Sequence, residues 1–94
     1  MNSNGRQYKY FSVAVEDGKE LYTYKKFRWF IEWLEYSETL PKDIQPVFSR
    51  AISTYGLFAI EPTDLQGDAL NYFNEKIRPE LNRQHKRLRE GKKL

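Results

Sequence analysis

The chain has 94 residues, with 16 Lys and Arg against 13 Asp and Glu and a formal net charge of +3. That length predicts one domain, and the lack of any cysteine excludes disulfides, thiol nucleophiles and thiolate zinc sites. No stretch approaches the roughly 20 apolar residues of a membrane span, and the opening MNSNGRQYKY lacks the apolar core of a signal peptide, so a cytoplasmic protein without membrane contact is expected.

Residues 8–15 alternate, with Phe11, Val13 and Val15 on one side and Tyr10, Ser12 and Ala14 on the other, the period of a strand. Asp17-Gly18 then signals a hairpin turn, because glycine tolerates positive φ. Residues 21–24 supply the return strand. A hairpin alone is marginal and needs support, which a helix over residues 25–38 would provide.

That helix carries two apolar stripes. Phe27, Phe30, Ile31 and Leu34 follow i, i+3, i+4, i+7 spacing, and Trp29, Trp33 and Tyr36 repeat it on roughly the opposite face. A surface helix needs only one apolar face. Either the helix lies between two layers, or the second stripe is a contact surface. On the contact reading, Trp29, Trp33 and Tyr36 form the protein-binding site, rimmed by Lys26 and Arg28, because Trp, Tyr and Arg dominate interface hot spots.

Asp43 is the expected N-cap of a second helix, with Pro46 in its first turn and Gly56 at its left-handed end. Its stripe of Ile44, Val47, Phe48, Ala51, Ile52 and Tyr55 reads as core. Thr63 and Gln66 match a capping box before a third helix with Leu70, Phe73 and Ile77 on one face. Pro79 should interrupt that helix, and Leu81 and Leu88 continue its apolar face thinly.

Charge is divided along the chain. Residues 1–75 hold 8 Lys and Arg against 11 Asp and Glu, net −3; residues 76–94 hold 8 against 2, net +6. The expected organisation is a compact body over 1–75 and a basic, helical or disordered extension over 76–94. Lys76, Arg78, Arg83, Lys86, Arg87, Arg89, Lys92 and Lys93 are the candidate nucleic-acid or anion-binding residues, suited to sequence-independent contact with phosphates.

Catalysis is hard to assemble from this chain. His85 is the only histidine and has cations rather than a carboxylate beside it in sequence, which lowers its pKa and marks it as a bystander. The carboxylate pairs Glu16/Asp17 and Asp64/Asp68 are too few to define a metal site. No Gly-rich phosphate loop, HExxH or GxSxG motif is present. No catalytic residue, metal or cofactor is expected. The fold expected is α+β, a hairpin packed on three helices, the last interrupted near Pro79 and ending in a basic tail. The expected function is non-enzymatic binding: an adaptor or inhibitor, of the type phages and mobile elements carry, docking a protein partner through the aromatic helix. A small DNA- or RNA-binding protein and a homodimer are the alternatives.

Overall fold

A computed structural model describes residues 11–16, 19–92 and 94. Strands β1 (Phe11–Glu16) and β2 (Lys19–Tyr24) lie antiparallel, with Phe11 opposite Tyr24 and Glu16 opposite Lys19. The Asp17-Gly18 turn of the expected hairpin lies outside the described residues. The rest is mostly helical. Helix α1 (Ile31–Glu38) and helix α2 (Gln45–Phe58) precede one continuous helical run over 67–89. That run is built of α3 (Gly67–Tyr72), a π-helical stretch (Phe73–Ile77) and α4 (Arg78–Arg89).

The core forms where the three helices meet. Phe48, Ala51, Ile52 and Tyr55 of α2 face Ala69, Phe73, Ile77 and Leu81 of the long run, with Trp33 of α1 and Leu65 closing the cluster. The expected α2 stripe is therefore core at Phe48, Ala51, Ile52 and Tyr55, with Val47 packed at its edge, while Ile44 precedes the helix and is half-buried. Tyr24 and Leu88 form a second, smaller buried contact that ties β2 to α4.

The long run explains its own irregularity. Ala69, Phe73, Ile77 and Leu81 recur at a strict spacing of four, which drifts around an α-helix of 3.6 residues per turn. A π-turn is wider and cancels the drift, so all four side chains reach the same core. The widened turn also meets Pro79. Arg78 donates its backbone N–H to the Phe73 carbonyl, five residues back, immediately before the residue that has no N–H to give. The expected interruption is thus a local change of helical pitch, and the chain remains helical through it.

Three expected local signals are replaced. Asp43 is not a cap: α2 begins after a turn in which Ile44 and Gln45 donate to the Pro41 carbonyl. The Thr63/Gln66 box does not form, and Gln66 enters α3 extended with no side-chain cap. Gly56 lies inside α2, and the left-handed end is Ala59 at φ 55°. Glycine is required at 56 for a different reason. A Cβ there would lie 2.6 Å from Cγ of Phe27, whose ring crosses the helix at this point. Gly56→Ala is therefore expected to destabilise the fold by about 1–3 kcal/mol, despite alanine's better helix propensity. Chemical denaturation checks this, and an unchanged or raised midpoint would contradict it.

Candidate nucleic-acid interface

Helix α4 has a sharply divided surface. Leu81, Gln84, His85 and Leu88 are buried at i, i+3, i+4, i+7, so the inward stripe has two apolar and two polar members. Hydrophobic periodicity assigns only the leucines to it; the spacing around them is the signal that locates Gln84 and His85. With Ile77 also at 0% exposure, Ile77, Leu81 and Leu88 are buried against the preceding elements. The expected body–extension boundary after residue 75 instead cuts the π-helical stretch.

Gln84 acts as a clamp on the extended segment before α1. Its Oε1 accepts the Arg28 backbone N–H at 2.7 Å and its Nε2 donates to the Arg28 carbonyl at 3.1 Å. One side-chain amide thus imitates a neighbouring strand. This contact and Phe27 on Gly56 hold residues 26–30 outside any helix, with Phe30 extended, so α1 starts at Ile31 rather than at the expected residue 25. It also brings Lys26 and Arg28, both exposed, to the C-terminal end of α4, where the Arg28 guanidinium donates to the Leu94 carbonyl at 3.0 Å. These two cations join the basic helix; they are not the rim of a tryptophan patch.

His85 is held where β2, α2 and α4 meet. Its Nε2 lies 2.9 Å from the Gly56 carbonyl, and its ring stacks on Tyr24 at 3.9 Å and 7°. Burial lowers its pKa below the ordinary 6.5; the Gly56 carbonyl opposes that shift and Arg89 adds to it. His85 is a packed core residue. The folded state favours the neutral ring, so its contribution is complete above pH 6.5 and is lost as pH falls from there toward the lowered value. Stability should decline between pH 7 and 5.5, with a slope of at most about 1.4 kcal/mol per pH unit from this group. Urea midpoints across that range check it: His85→Gln should flatten the slope, and an equal slope in the variant would refute the assignment.

The other side of α4 is charged. Arg83, Lys86 and Arg89 of α4 are exposed, as are Lys76 in the π-helical stretch before it and Lys92 after it. Several of these cations have protein partners. Arg78 forks onto Glu61 at 2.6 and 2.8 Å and lies 5.2 Å from the ring centroids of Tyr55 and Phe73. Its hydrogen bonds to Glu61 hold that carboxyl below its usual range. Arg83 pairs with Glu80, Lys92 with Glu90 at 3.3 Å, and Arg89 donates to the Tyr24 hydroxyl at 2.6 Å. Arg78 is thus a structural clasp between α4 and the 59–66 segment rather than a member of the outward strip. Lys93 lies outside the described residues.

The expected protein-binding aromatics point the other way. Trp33 is 2% exposed and stacks on Phe30 at 5.2 Å. Trp29 and Tyr36 are half-buried and pack on the core, Tyr36 stacking on Tyr72 at 3.8 Å. The exposed face of α1 carries Ile31 (69%) and Leu34 (46%) instead. The first stripe is split: Phe27 and Phe30 also pack on the core and only Ile31 and Leu34 face outward, because the α2 and α3 side chains that need covering lie on the tryptophan side.

Among the described residues, no helix is long and apolar enough to cross a membrane, and no group of three or more His, Asp or Glu could hold a metal. No family model and no solved structure matches the chain. It is 35% identical over 49 residues to the "Probable ATP-dependent RNA helicase CG8611" of Drosophila melanogaster, a stretch covering 52% of this chain and 5% of the helicase.

Proposed function

We propose that this chain is a non-enzymatic binding module that contacts nucleic-acid phosphates through the outward face of α4 together with Lys26 and Arg28. The observation that carries this reading is the division of α4: core side chains occupy its inward stripe and leave Arg83, Lys86 and Arg89 exposed, with Lys76 and Lys92 exposed just before and after the helix. The Gln84 clamp sets two further cations from a distant part of the chain beside it. Exposed ion pairs such as Lys92–Glu90 are worth little, so a phosphate can replace the carboxylate. Partial similarity to an RNA helicase supports RNA as the nucleic acid.

Fluorescence anisotropy with labelled single- and double-stranded RNA, over a salt series, tests this. Affinity should fall steeply with salt. Exchanging the exposed Lys76 and Lys86 for Glu should lower the slope of log K against log salt by about two if both touch phosphates. No binding at low salt, or binding indifferent to these changes, would refute the reading.

A protein partner is the second reading. It is favoured by the exposed Ile31 and Leu34, and an adaptor or inhibitor role would rest on them instead of on Trp33. Ile31→Ser would abolish such a contact without touching the core, and light scattering separates a foreign partner from a homodimer.

A further inference from the structure

A cleft of about 420 Å³ lies between the 40–44 turn and the start of α3. Its floor is apolar, made by Leu40 and Ile44 from the turn and by Leu65 and Ala69 from the entry to the helix. Asp64 and Asp68 line it as well, both exposed, and no ion pair of the described residues uses either carboxylate. The surroundings have the same sign: residues 31–68 hold 7 Asp and Glu against 2 Lys and Arg, net −5. The cleft uses none of the cations of α4, so it is independent of the proposed nucleic-acid surface.

An apolar floor with carboxylates beside it suits a side chain that is aliphatic along its stem and cationic at its tip, which describes lysine and arginine. A metal ion is a poor match, since two carboxylates over a hydrocarbon floor supply too few oxygens. The volume is in the range of sites that enclose a small ligand or a pair of side chains. The basic helix α4 is convex and its cations are interspersed with Glu80 and Glu90, so in a second copy it presents the wrong shape, and that copy's Lys26 and Arg28 lie on a segment whose backbone Gln84 already holds; an extended segment of another protein presents the right one. We propose that this cleft docks an extended basic segment of a protein partner, seating a Lys or Arg over Leu40, Ile44, Leu65 and Ala69 with its charge on Asp64 and Asp68.

The test titrates the isotope-labelled full chain with a capped six-residue peptide in which Lys and Arg alternate with Leu, and with a counterpart carrying Glu in their place. Amide shifts confined to residues 40–44 and 64–69 for the basic peptide, absent for the acidic one and weakened by salt, are expected. Asp64→Asn with Asp68→Asn should lower affinity roughly three- to tenfold; both side chains are exposed, and an unchanged melting curve confirms the fold. Should the double variant fold poorly, the salt series on the unmodified chain takes its place, and affinity indifferent to salt would count against the carboxylates. Equal binding of the acidic peptide, shifts elsewhere, or full affinity in the folded double variant would overturn the proposal. So would concentration-dependent broadening at these amides without peptide, lost in the double variant, which would assign the cleft to a second copy.

Discussion

Trp33→Ala should destabilise the domain by about 3–5 kcal/mol, the range for emptying a buried aromatic site. Trp33 is 2% exposed, lies in the central cluster with Phe48, Phe73 and Leu81, and is flanked by the rings of Trp29 and Phe30 at 6.1 and 5.2 Å. A domain of this size has only about 5–15 kcal/mol in total, so the loss is a large share. Urea denaturation followed by far-ultraviolet circular dichroism measures it. Were Trp33 a binding hot spot on the surface, the variant would keep its unfolding midpoint and lose a partner instead. Ile31→Ser is the contrasting change: at 69% exposure it should leave stability within about 0.5 kcal/mol.

Deleting residues 76–94 should unfold the protein. The deletion removes Ile77, Leu81 and Leu88, each at 0% exposure, and with them the buried Gln84 and His85. Fully burying one such aliphatic side chain is worth about 1.5–3 kcal/mol, so three amount to most of the stability available. The Gln84 clamp on Arg28 and the Tyr24–His85 stack disappear as well, which frees the segment leading into α1. A 1–75 fragment with little helical circular dichroism and no cooperative melt is the expected result. A fragment that keeps a cooperative transition would show that α4 is an appendage after all. The deletion therefore cannot report on nucleic-acid binding, and charge exchange at Lys76 and Lys86 is the change that separates binding from folding.

Much of the helical framework is legible in the residues. The α2 stripe identifies itself because its apolar positions are continuous and only one face carries them. The long run is legible for the same reason as far as Ile77. Past Pro79 the reading fails, because two of the four inward positions are polar. Gln84 and His85 look like surface residues until their partners are known, namely the Arg28 backbone and the Gly56 carbonyl. Both partners are more than twenty residues away, and a buried polar group is acceptable only when such a partner exists.

The amino-acid sequence by itself determined that the domain is small, free of cysteine, mostly helical beyond its N-terminal quarter and divided into an acidic and a basic part, since composition and periodicity are local properties. It determined that the 27–36 segment has two apolar stripes, but periodicity defines faces without saying which is covered. Only the tertiary structure decided that Trp33 turns inward and Ile31 and Leu34 outward, because that choice depends on where α2 and the long run present apolar surface. It also decided that the basic helix is part of the core, and that Lys26 and Arg28 belong with its cations. The first follows from the burial of Ile77, Leu81 and Leu88 against distant elements, and the second from hydrogen bonds that join residues 56 apart in the chain, a separation that no local pattern encodes.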